Sequence, residues 1–113
     1  QRKSLHGSKV LILGAAYKKD IDDPRESAAL DVIEDLIKKK AIVLYNDPHI
    51  PQIEIGGEKI YSTPFSPELL KRVDCVAILT DHTVYDYNLI FRKSKLIVDT
   101  KNAIKRKHYK IFK

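Results

Sequence analysis

Residues 14–27, GAAYKKDIDDPRES, follow directly on the apolar run KVLIL and crowd two lysines, three aspartates, an arginine and a glutamate into one segment. Lys18, Lys19 and Arg25 are the side chains that meet phosphate, lysine as a point charge and arginine as a planar fork. Tyr17 adds a flat amphipathic ring suited to stacking on a base or a sugar. The segment cannot hold a diphosphate in the commoner way, on bare glycine backbone. A dinucleotide site needs GxGxxG, and here alanine and lysine stand where the later glycines belong. The Walker pattern GxxxxGK followed by Ser or Thr is missing too. Two readings stand side by side: phosphate recognition by side chains, or surface ion pairs that neutralise one another and contribute little.

Other residues with chemistry in their side chains read more plainly. Cys75 lies inside DCVAIL, in a predicted core strand where a thiolate would be poorly solvated. Asp47 with His49, and Asp81 with His82, are metal-type ligands at strand ends, but neither pair has the count or spacing of a zinc or calcium site. No metal and no catalytic residue is expected in this chain. His82 reads as shaping the turn after its strand, and the tyrosines at 85 and 87 as packing at a helix start.

The elements that must position these residues alternate. KVLILGA, 9–15, is a continuous apolar run of the kind found in strands buried on both faces. From Ser27, a predicted N-cap, Ala29, Val32, Ile33, Leu36 and Ile37 fall at helical spacing, and Lys38 to Lys40 close that helix. AIVLYNDP, 41–48, is a second strand ending in turn residues. IEIGGEKIY reads as a hairpin, SPELLKRV as a short helix with a serine cap and proline at its first position. DCVAILTDH, 74–82, is a strand, YDYNLIFRKS a helix, and KLIVDTKN a strand ending near Asp99. The tail AIKRKHYKIFK reads as a helix followed by a short strand. Such alternation predicts an α/β fold, a Rossmann-like three-layer sandwich with a mainly parallel sheet. Ligands in such folds sit beyond the carboxyl ends of the strands. The charged segment, TDH after residue 79 and DTKN after Val98 leave strands at that one edge.

Size and composition bound the rest. The chain has 113 residues, 43% hydrophobic, which suits one domain, 1–113, with one core. It has no apolar run long enough to span a membrane and no signal-peptide pattern in its first residues. One cysteine fits a reducing compartment, so a cytoplasmic location is expected. The net charge of +6 is uneven: residues 92–113 hold nine Lys/Arg and one acid, residues 1–91 twelve and fourteen. The excess lives in the tail, which reads as a solvated end, and nucleic acid is not the expected partner.

GAAYKKDIDDPRES, then YNDPHIP, VAILTDH and LIVDTKNA, together resemble the C-terminal, UDP-binding domain of the UDP-glucose/GDP-mannose dehydrogenase family, and most resemble its UDP-N-acetylglucosamine 6-dehydrogenase branch. The resemblance covers residues 8–104 with the motifs in the family's order. It implies one domain of a longer enzyme that uses NAD to oxidise the C6 hydroxyl of a UDP-sugar to a carboxylate. It implies that the NAD-binding and central domains, the catalytic cysteine and most of the NAD site lie outside this chain, and that the full-length enzyme is a homo-oligomer. Position by position, the resemblance places Tyr17 and Lys18 against the nucleotide sugar and turns Arg25 across a cleft toward NAD. Lys101 becomes a further substrate contact, supplied to a neighbouring protomer's site. The family usually has arginine there, and lysine gives up bidentate recognition. Position 28, often proline in the family, is alanine. The acids Asp20, Asp22, Asp23 and Glu26 would orient the basic side chains. The contrasting expectation is a stand-alone binding or regulatory module whose basic tail meets an anionic partner.

Overall fold

The computed structural model describes residues 7–15, 28–105 and 107–112. Ten elements follow one another: β1 (Lys9–Leu13), α1 (Ala28–Lys38), β2 (Ile42–Asn46), β3 (Gln52–Ile55), β4 (Glu58–Tyr61), α2 (Pro67–Arg72), β5 (Cys75–Ile78), α3 (Tyr87–Lys93), β6 (Ile97–Asp99) and β7 (Ile111–Phe112). Five strands form one sheet in the order β2-β1-β5-β6-β7. Every pairing in it is parallel, because each connection carries the chain back across a face instead of turning on itself.

Side-chain alternation explains the layers. In β1, Val10 and Ile12 point to one face and pack with Ala29 and Ile33 of α1. Leu11 and Leu13 point to the other, against Leu69 and Leu70 of α2 and Ile90 of α3. A strand with both faces covered has no polar side, which is why β1 is apolar from Val10 to Leu13, with only Lys9 at its exposed start. The result is the expected three-layer α/β sandwich.

Local chemistry sets the element ends. Ser66 caps α2 by accepting the Leu69 N–H at 3.1 Å, with Pro67 at the first helical position. Asp86 does the same for α3, accepting from Leu89 at 3.1 Å. Gly56 and Gly57, at φ +58 and +84, turn the β3–β4 hairpin; two positive φ values in a two-residue hairpin loop favour glycine. The predicted Ser27 cap lies outside the described residues. The tail departs from expectation: its described residues between Ala103 and Lys110 form no helix, and only β7 follows. That stretch lacks a helical apolar stripe, and the chain ahead of it is bent by Asp99, described below. Lys110 is drawn inward, its Nζ donating to Ser94 O at 3.0 Å and lying 4.7 Å from the Phe91 ring centre.

Candidate functional site

The parallel register puts Leu13 beside Asn46 on one side and Ile78 on the other, with Asp99 beside Ile78. Four loops therefore leave the sheet at one edge. The strand order reverses at β1 and β5, since the chain moves first to β2 and later to the opposite side of β1. In open α/β sheets the crevice at such a reversal holds the ligand. Its floor is Gly14 against Thr80. Gly14 has φ +96, and a Cβ there would lie 2.4 Å from Thr80 Cβ and 2.7 Å from Thr80 N. Only glycine fits, and the reason is close packing between strand ends.

One residue further, the Ala15 N–H donates to Asp47 Oδ2 at 2.7 Å. His82 Nε2 lies 2.8 Å from the same oxygen. Oδ1 accepts from His49 N at 2.7 Å and Ile50 N at 3.1 Å. Asp47 is 3% exposed and His82 0%, so this carboxylate exchanges water for protein donors, these four among them. That satisfaction is what permits a charge at this depth. Surrounding contacts fix the frame. Asp47 N donates to Ser62 Oγ at 3.0 Å and Asn46 Nδ2 to Thr63 O at 2.7 Å. The Tyr85 hydroxyl lies 2.8 Å from Asn46 O and 2.9 Å from Asn46 Oδ1. Burial first, then the Asp47 charge and Tyr87, push the Tyr85 phenol above its ordinary range, a hydrogen bond with the Gly14 backbone opposing them. It remains a proton donor.

At the end of β6 lies a second buried carboxylate. Asp99, 1% exposed, accepts from Lys101 N at 3.2 Å and Ala103 N at 3.0 Å on Oδ1, and from Ile104 N at 2.8 Å on Oδ2. Asn102 takes φ +53 within this turn. The turn holds Lys101 outward, exposed, at the carboxyl edge.

Of the residues singled out from sequence, Lys101 is therefore at the expected edge, while Tyr17, Lys18 and Arg25 lie outside the described residues. Cys75 sits half-buried in β5, its thiol pushed up by burial and then by the Asp74 carboxylate, an environment that disfavours a nucleophile. Among the described residues no three His, Cys, Asp or Glu side chains could share a metal, and no helix is long and apolar enough to cross a membrane. A hollow of about 610 Å³ lies elsewhere, on the sheet face beside α1. It is lined by Val10, Val32, Leu36, Ala77, Leu79 and Val98 among others, and such an apolar lining offers a diphosphate little.

Sequence reading paired Asp47 with His49 and Asp81 with His82. The structure instead joins Asp47 to His82 across 35 residues. The sheet order needed to see this is not written locally: β2 and β5 flank β1, about 10 Å apart. The available hint was the pair of small residues Gly14–Ala15 at the exit of β1, over which two longer side chains can meet.

The comparisons agree with this geometry. Residues 11–106 match the UDP-glucose/GDP-mannose dehydrogenase family, UDP binding domain. A UDP-N-acetyl-D-mannosamine dehydrogenase from Methanococcus maripaludis is 34% identical over 110 residues, covering 90% of this chain and 24% of that protein. The native structure of the UDP-N-acetyl-mannosamine dehydrogenase Cap5O from Staphylococcus aureus is 31% identical with a TM-score of 0.65, over 98% of this chain and 26% of that one. A UDP-glucose dehydrogenase structure from Pyrobaculum islandicum superposes with a TM-score of 0.72 at 26% identity, over 97% of this chain and 26% of that one. The chain thus spans about a quarter of the length of these relatives. By name they are mannosamine and glucose enzymes, so the match supports the family and not the UDP-N-acetylglucosamine branch expected from the motifs. This chain belongs to the UDP-glucose/GDP-mannose dehydrogenase family, and what it contributes is that family's UDP-binding domain.

Proposed function

We propose that residues 1–113 are the UDP-sugar-binding part of an NAD-dependent 6-dehydrogenase that oxidises the sugar C6 hydroxyl to a carboxylate. Tyr17 and Lys18 are its nucleotide-sugar contacts from the first loop, and Lys101 is a further contact from the β6 exit. The sugar belongs to the set that includes UDP-glucose and the UDP-N-acetylhexosamines, as the names of the relatives suggest. The observation that carries this reading is the convergence of side-chain-bearing loops, poor in glycine, on the β1–β5 reversal.

The same edge does not fit the pyrophosphate of NAD. A dinucleotide cradle needs free backbone N–H groups just past the first strand. Here the Ala15 N–H is already given to a carboxylate, which would also repel an approaching pyrophosphate. Arg25, proposed to reach NAD across a domain cleft, is the only residue assigned toward the cofactor, and no hydride-transfer step is derived from this chain. Its work is to bind and orient the nucleotide while groups on the rest of the enzyme, joined to it in a homo-oligomer, perform the oxidation in the cytoplasm.

Titration of the chain with UDP, followed by NMR shifts, is expected to show weak saturable binding without NAD reduction. Lys18→Ala and Lys101→Ala are each expected to weaken it several-fold, on the scale of one lost charge-assisted contact. Unchanged affinity in both variants would overturn the assigned contacts. A stand-alone module acting through its basic tail would instead bind polyanions with a steep salt dependence.

A further inference from the structure

We propose, resting on the UDP-sugar reading above, that Asp99 is a positioning residue: it wraps the exit of β6 around its carboxylate and so fixes the backbone from which Lys101 reaches the nucleotide. Four observations carry this role. First, Asp99 Oδ1 accepts the Lys101 N–H itself, at 3.2 Å. Second, the chain just before Lys101 is tied to the neighbouring strand, because Thr100 N and Thr100 Oγ1 both donate to Ile78 O, at 3.2 and 2.7 Å. Third, the chain just after it returns to the same carboxylate, through Ala103 N at 3.0 Å and Ile104 N at 2.8 Å. Ile104 is 4% exposed and packs into the core shared with α2 and α3, which anchors the far end of the turn. Fourth, Asn102 takes the left-handed φ of +53, the bend that lets the chain return.

Lys101 is exposed while the backbone on either side of it is pinned. A lysine carries its charge on a flexible four-carbon stem and lacks the pre-organised fork of arginine. Its contact therefore depends strongly on where its backbone stands. With the backbone held in advance, only the stem loses freedom when ligand binds. Asp99 is 1% exposed and spends both oxygens on the turn beneath Lys101, so its effect on the nucleotide passes through that side chain.

A double-mutant cycle on UDP affinity separates positioning from general stability. Lys101→Ala is expected to raise the Kd about fivefold, the scale of one lost contact. Asp99→Asn sets an amide NH2 against at least one backbone N–H that the carboxylate accepts. The turn then loosens: hydrogen exchange at the Lys101, Ala103 and Ile104 amides speeds up, and the Kd rises about threefold. With Lys101 already truncated, adding Asp99→Asn is expected to change the Kd no further. Losses that multiply in the double variant overturn the positioning role and leave the UDP reading standing. Wild-type affinity in Asp99→Asn, with those amides exchanging faster, does the same. If Asp99→Asn does not fold, two variants of the exposed Asn102 decide, since glycine adopts φ +53 freely and valine does not. Asn102→Gly is expected to bind UDP within about twofold of wild type and Asn102→Val about threefold more weakly; equal affinities overturn the role. Wild-type affinity in Lys101→Ala removes the contact that Asp99 serves, and the role falls with it. No UDP binding by the wild-type chain at millimolar nucleotide overturns the UDP reading itself, and the positioning role too.

Discussion

Asp47 and Asp99 occupy equivalent places, just past or at the end of parallel strands, both almost completely buried. Among the described residues each accepts at least three backbone N–H groups. They differ in where the donors come from. Those of Asp99 lie two, four and five residues ahead, so its turn is local and can form as β6 ends. Asp47 also takes two local donors, but adds Ala15 from 32 residues earlier and His82 from 35 residues later. One aspartate folds its own loop; the other ties three strand exits together. Depth alone does not decide what a buried carboxylate does. The decisive feature is whether a neighbouring exit is small enough to let it reach across, and Gly14 with Ala15 provides that opening.

The largest expected difference lies in stability. Asp47→Ala leaves the His82 ring and three backbone donors buried without their acceptor, and is expected to cost about 3–5 kcal/mol, the range for breaking a buried pair. Asp99→Ala frees three amides in a loop that can open to water, and is expected to cost about 1–3 kcal/mol. Urea midpoints at constant slope measure both. With a total stability of about 5–15 kcal/mol for a domain of this size, the first variant approaches the unfolding threshold and the second does not. The reverse order would break the distinction between clamp and local turn. Ligand binding gives a second readout: Asp99→Asn is expected to disturb the contact made by Lys101.

The same contrast explains what was legible in the sequence. Local rules were sufficient for the Ser66–Pro67 start of α2 and the glycine-turned hairpin, because each is set by residues within a few positions. The apolar run of β1 announced a strand covered on both faces, and its alternation into the two clusters follows. The edge on which the loops converge was also legible, since alternating elements dictate a parallel sheet. The Asp47–His82 pair was not, because it depends on β5 lying beside β1 and opposite β2, a choice made by the packing of α1 on one face and α2 and α3 on the other. In the tail the short strand expected at the end is present, and the helix expected before it is not, because that stretch has little apolar surface to bury and Asp99 bends the chain beforehand.

The smallest effect discriminates between the two carboxylates by charge alone. Tyr45, fully buried in β2, donates its hydroxyl to Ile50 O at 2.9 Å. Its phenol is pushed up to about 12, by burial first and by the Asp47 charge second. A phenol that titrates higher in the folded chain than its ordinary value near 10 favours the folded state while protonated in both states. That contribution is complete below pH 10 and lost as pH rises through 12, because the unfolded chain releases the proton first. Tyr45→Phe is therefore expected to flatten the loss of stability between pH 10 and 12. Asp47→Asn removes the lesser of the two causes and should move the Tyr45 titration slightly downward, read from its ring carbon shift by NMR. Asp99→Asn should leave it in place. Equal movement in both variants would mean that the phenol senses a general loosening of the domain, and the separation of roles between the two aspartates would lose its electrostatic half.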